Sequence, residues 1–147
     1  MGLIKKFVNK TVFLDTAPLI YYIEENKGYT KVLGKLFEAN AQNKFQFSTS
    51  VLTLMEILVQ PIRINATKLV KEYENIICNS TTIDIYDFNI EIAKIAAKIR
   101  AEYGFKTPDS IQLATAISTN SDYFLTNDKQ LKSYKEIEII VLDENIQ

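Results

Sequence analysis

Four acidic residues, Asp15, Glu56, Asp109 and Asp128, fall where carboxylates do chemistry rather than solvate a surface. Asp15 directly follows the β-prone run Thr11-Val-Phe-Leu14, and Asp128 closes Thr126-Asn127-Asp128 after Tyr123-Phe-Leu-Thr126. Side chains just past the carboxyl ends of parallel strands face the crevice where such sheets bind ligands. Glu56 lies in Val51-Leu-Thr-Leu-Met-Glu-Ile-Leu-Val59, apolar almost all round a helix. An unpaired charge there costs several kcal/mol, so Glu56 needs a cation, a strong donor or a wet cleft. Asp109 stands in the first turn of a helix opened by Thr107 and Pro108, where the helix dipole favours an anion by about 0.3–1 kcal/mol.

Each acid also has a plainer reading. Asp15, aided by Thr16, caps the Pro18 helix; Thr53-x-x-Glu56 fits a capping box; Asp109 is a first-turn anion; Asp128 belongs to a turn. Their joint occurrence favours a shared site. Clustered carboxylates repel and raise one another's pKa unless a divalent cation neutralises them. Oxygen-only ligands select hard ions, Mg²⁺ or Mn²⁺ before Ca²⁺. The chain has no histidine and one cysteine, Cys78, which removes imidazole acid–base mechanisms and disfavours zinc. A hard ion acidifies a water and stabilises charge on phosphate oxygens during in-line displacement. Phosphodiester hydrolysis is therefore the expected chemistry.

The elements that must position these acids alternate between strand and helix. Pro18 sits in the first turn of a helix ending at Gly28, and Thr30 opens a second whose buried face carries Val32, Leu33, Leu36, Phe37 and Ala41. Phe45 to Phe47 reads as a strand; a helix capped by Ser48, Thr49 or Ser50 follows and stops at Pro61. A helix over about 65–77 and a strand over 81–85 come next. Ile92, Ile95, Ala96, Ile99 and Tyr103 mark the clearest helix, stopped by Gly104. Thr107 caps the next, and strands 123–126 and 137–141 complete the pattern. The order predicts an α/β domain: a mostly parallel sheet with helices on both faces.

The chain has 147 residues, 47% hydrophobic and 24% charged, with 17 Lys and Arg against 18 Asp and Glu. That composition suits one soluble globular domain and argues against nucleic-acid binding by bulk charge alone. Lys5, Lys6 and Lys10 precede an apolar stretch, but Asp15 and Pro18 interrupt it, so neither a secretory signal nor a membrane span is expected. A lone cysteine suits a reducing compartment, and a cytoplasmic location is the expectation.

The ordered set of motifs resembles the PIN domain family, and more narrowly its VapC-type ribonuclease toxins. It comprises Val12-Phe-Leu-Asp-Thr-Ala-Pro-Leu-Ile-Tyr-Tyr-Ile-Glu24, Glu56 in its apolar helix, Thr107-Pro-Asp-Ser-Ile-Gln-Leu-Ala-Thr-Ala116 and Phe124-Leu-Thr-Asn-Asp128. The resemblance implies a single domain over 1–147, a three-layer fold with a five-stranded, mostly parallel sheet flanked by helices. It places Asp15, Glu56, Asp109 and Asp128 as the catalytic and metal-binding acids, supported by Thr16, Thr126 and Asn127. It further implies Mg²⁺ or Mn²⁺ as cofactor, RNA as substrate with 5′-phosphate and 3′-hydroxyl products, a homodimer, and a cognate antitoxin partner. Ala17 departs from the Ser or Asn that many members carry there.

Two other readings compete. A haloacid-dehalogenase-like phosphatase also puts an aspartate after its first strand, but requires a second at position 17, which is Ala17. A non-catalytic PIN-like module binding RNA or a partner would keep the fold without needing its acids. Tyr21, Tyr22 and Tyr29 read as core residues with hydroxyls at the surface.

Overall fold

The computed structural model describes residues 2–146. Its centre is a five-stranded sheet of β1 (Thr11–Leu14), β2 (Gln46–Ser50), β3 (Ile83–Tyr86), β4 (Tyr123–Thr126) and β5 (Glu138–Val141). All neighbours are parallel, in the order β3-β2-β1-β4-β5. Seven helices cross over between or flank the strands: α1 (Gly2–Phe7), α2 (Thr16–Ile23), α3 (Thr30–Ala41), α4 (Val51–Arg63), α5 (Thr67–Cys78), α6 (Ile90–Tyr103) and α7 (Thr107–Ser118). The chain winds outward from β1 to β3, then returns to the other side of β1 as β4. This reversal between β1 and β4 opens a crevice at their carboxyl ends.

β1 shows why the sheet is central. Val12, Phe13 and Leu14 are all fully buried, because Val12 and Leu14 join the core beneath α1–α5 while Phe13 joins the one beneath α6 and α7. A strand covered on both faces reads as a continuous apolar run. Phe13 stacks on Phe124 of β4 at 5.2 Å, so the register across the crevice is packed on the α6/α7 side.

Several local expectations are corrected. α4 does not stop at Pro61 but runs to Arg63; Pro61 is buried and its carbonyl accepts from Ala66 N–H at 2.8 Å, so packing of the last turn outweighs the donor the ring removes. α2 ends at Ile23, well before Gly28, where Glu25 takes a left-handed φ of 52°. Lys106 rather than Thr107 caps α7, and Ala41 is exposed while Ala39 and Asn40 are buried in its place. Helix α1 was not anticipated; Leu3 and Phe7 anchor it to the core. Among the described residues, no helix is long and apolar enough to cross a membrane.

Gly104 ends α6 in the left-handed region at φ 74°, donating to Arg100 O, and a Cβ there would meet nothing within 4 Å. Gly104→Ala is therefore expected to cost about 1 kcal/mol, wholly through the backbone, read as a lower urea midpoint with unchanged slope.

Candidate active site

The crevice between β1 and β4 is an open cleft of about 310 Å³, and all seven residues expected at a site line it: Asp15, Thr16, Glu56, Asp109, Thr126, Asn127 and Asp128. Ala17 and Tyr21 complete one wall.

Asp15 is both cap and cleft residue. Its Oδ1 accepts from Thr16 N–H at 2.9 Å as the N-cap of α2. Its Oδ2 accepts from Thr126 Oγ1 at 2.8 Å, and Gln112 Nε2 reaches Oδ1 at 3.3 Å. Burial pushes its pKa up to about 6; the Thr126 and Thr16 hydrogen bonds pull it back, and the charge of Asp109 adds to the rise. Thr126, itself buried, also accepts from Asp128 N–H at 3.1 Å. One hydroxyl thus ties the acid after β1 to the turn after β4.

Glu56 is not in the wholly apolar setting its neighbours suggested. α4 turns Met55, Val59 and Ile62 outward at 57%, 43% and 57% exposure, which leaves Glu56 half-buried at the cleft edge. Its partner is the Thr16 hydroxyl, which donates to Oε1 at 2.6 Å. The capping box does not form: Ser50 caps α4 and accepts from Thr53 N–H.

Asp109 sits in the first turn of α7, and its carboxylate takes no hydrogen bond among the described residues. Its pKa is raised, by burial first and then by the charges of Asp128 and Glu56, with Lys106 opposing. Asp128 caps a 3-10 turn over Lys129–Ser133 through Oδ1, which accepts from Gln130 N–H at 3.0 Å. Asn127 uses its amide elsewhere: Nδ2 donates to the Tyr29 hydroxyl at 3.1 Å and Oδ1 accepts from Asp143 N–H at 2.9 Å. It braces the loop that carries Asp128.

Gln112 escaped the sequence reading. It is 1% exposed and donates to Thr53 Oγ1 at 2.7 Å while accepting from the Ser50 hydroxyl. With its weaker contact to Asp15 it joins β2, α4 and α7 beneath the carboxylates. The available signal was an amide on an apolar helix three residues after Asp109, hence on the same face.

None of the four acids forms an ion pair among the described residues. Nor do any three His, Cys, Asp or Glu side chains among them stand close enough together to enclose a metal ion. The donor set is all oxygen and negative, which suits a hard cation held through one or two carboxylates with water completing its shell.

Residues 12–137 match the PIN domain family. The chain therefore belongs to that family, and its all-parallel sheet with flanking helices is the fold expected of it. Among solved structures, it resembles a chain of DNA-bound VapBC from Salmonella typhimurium, with 19% identity over 90% of this chain and 98% of that one and a TM-score of 0.72. VapBC2 from Rickettsia felis, bound to a DNA fragment from its promoter, gives 18% identity, 89% and 98% coverage, and a TM-score of 0.68. Mycobacterium tuberculosis VapC20, described as a sarcin-ricin loop cleaving toxin, gives 14% identity, 77% and 86% coverage, and a TM-score of 0.63. No curated protein sequence matches the chain significantly.

Proposed function

We propose that this protein is a divalent-metal-dependent endoribonuclease and the toxin of a type II toxin–antitoxin pair. The observation that carries the reading is the gathering of four carboxylates, with no cation paired to them among the described residues, in one cleft at the switch point of the sheet. Membership of the PIN family and likeness to VapBC proteins and to VapC20, a sarcin-ricin loop cleaving toxin by its description, support it.

Of Asp15, Glu56, Asp109 and Asp128, one or two would hold Mg²⁺ or Mn²⁺ directly, and the others would face it across its water shell. When bound, the ion supplies the charge that acidifies water and neutralises phosphate oxygens. The chain's own groups supply position. Thr126 fixes one oxygen of Asp15 and the Thr16 N–H fixes the other, so this carboxylate is oriented before any ligand arrives. The Thr16 hydroxyl turns Glu56 toward the cleft, while Asp109, free of hydrogen bonds among the described residues, is available as acceptor. Lys106 beside Asp109 favours entry of a phosphate.

An apolar groove of about 360 Å³ between α2, α4 and α5, lined by Ile20, Ile57, Pro61, Leu69 and Tyr73, reaches Glu56. It supports an antitoxin segment lying beside the site, and the exposed apolar residues of α4 add to the surface for a partner or a second copy.

The test is incubation of a mixed RNA pool with the purified protein and Mg²⁺ or Mn²⁺. Cleavage that stops with chelator, leaving 5′-phosphate ends, is expected. RNA binding without cleavage, indifferent to chelator, would instead identify the non-catalytic module.

A further inference from the structure

A second groove, of about 520 Å³, runs between α1, α3 and the segment after β5, lined by Lys6, Lys31, Lys35, Val32, Ile140 and Glu144. Lys6 is paired with Glu138, and Glu144 with Lys132. Lys31 and Lys35, one turn apart on α3, are exposed and join no ion pair among the described residues. In a chain of net charge −1, this is a locally positive trough with apolar walls at Val32 and Ile140.

The trough and the carboxylate cleft share no lining residue, but a chain of side-chain contacts through Tyr29 links them. Tyr29, directly before α3, donates to Asp143 Oδ1 at 2.5 Å and accepts from Asn127, which lines the cleft; Asp143 directly precedes Glu144 of the trough. Tyr29 also stacks on Tyr21, a cleft residue, at 4.4 Å. A polyanion whose reacting phosphate enters a cleft of four carboxylates needs its neighbouring phosphates neutralised outside it. We infer that Lys31 and Lys35 form a backbone-binding site for single-stranded RNA, the strand leaving the cleft past Tyr21 and Tyr29 and entering the α3 trough. The inference rests on the ribonuclease reading and adds where the substrate is held. Two lysine point charges on flexible stems contact phosphates without reading bases, so the site is indifferent to sequence.

The test uses a fluorescein-labelled single-stranded RNA of mixed sequence, bound in Mg²⁺ over a range of salt to protein carrying Asp109→Asn to prevent cutting. Adding Lys31→Gln with Lys35→Gln is expected to lower affinity about tenfold and to flatten the log K against log salt slope by about 1.4, two contacts at about 0.7 each. In protein with Asp109 intact, the same pair raises KM and leaves kcat unchanged. Lys94→Gln with Lys98→Gln, the same charge change on the exposed face of α6, leaves affinity, slope and KM unaltered. If both pairs behave alike while the unaltered protein cuts RNA, the trough site is refuted and the ribonuclease stands; a trough that serves an acidic protein segment gives this result. If the unaltered protein shows no metal-dependent cutting, the ribonuclease reading falls and takes this inference with it.

Discussion

Asp15→Asn is expected to abolish RNA cleavage and, above pH 6, to stabilise the metal-free protein. The two effects have one cause. Asp15 is held in a partly buried cleft whose desolvation pushes its pKa up to about 6, although Thr126 and the Thr16 N–H donate to it. A carboxylate raised in the folded state contributes its full stability below the unfolded pKa, near 4, and loses it as pH rises through about 6. Asparagine removes the charge and its cost, so the variant should be more stable by about 3 kcal/mol at pH 7–8, with the gap closing near pH 4. Divalent metal should reverse the order, because it stabilises only a protein that binds it. The loss of activity should exceed the roughly 10–100-fold that removal of an outer-shell partner brings, if Asp15 is one of the direct ligands. Thermal melts at two pH values, with and without Mn²⁺, read the stability effects, and RNA cleavage reads the activity.

Gln112→Leu should be the most destabilising single change at the site. Leucine nearly fills the volume but leaves the Ser50 hydroxyl, 2% exposed, and the Thr53 hydroxyl, fully buried, without their amide partner. Buried groups stranded in this way cost about 1–3 kcal/mol each, and this network shares members, so a loss of about 2–4 kcal/mol is expected in urea unfolding. The same change removes a donor from Asp15. Any activity left in the folded fraction should therefore show its acid limb moved to higher pH, a shift that loss of stability alone would not produce.

Much of the frame was legible because it follows from local pattern. The apolar run of β1 announced a strand covered on both faces, and the Ile92-Ile95-Ala96-Ile99 face with its stop at Gly104 marked α6, whose cap, Asn89, only the structure shows. Acids just past strand ends were legible as well, since in parallel sheets chain position alone brings them to one edge. What escaped depends on contacts distant in sequence. Gln112 had no reading of its own, because its partners Ser50 and Thr53 lie 62 and 59 residues away. Asn127 seemed a companion of Asp128, but its amide is engaged by Tyr29 and Asp143, 98 and 16 residues away. Pro61 read as a stop because propensity counts the missing donor and not the burial that offsets it. The apolar surroundings of Glu56 were overestimated for a related reason: composition shows that α4 is apolar, not that Met55, Val59 and Ile62 stay in solvent.

The most direct test of the account is the rate of cutting of one end-labelled RNA as Mn²⁺ is titrated, for the unaltered protein and for Asp109→Asn. Asp109 suits this comparison because no hydrogen bond among the described residues depends on its carboxylate, so the fold should survive the change. A rate that rises and saturates with metal in the unaltered protein, vanishes with chelator, and falls steeply in the variant is the predicted result. Cutting that ignores chelator, or that proceeds equally in both proteins, would contradict the assignment of this cleft as a metal-dependent nuclease site.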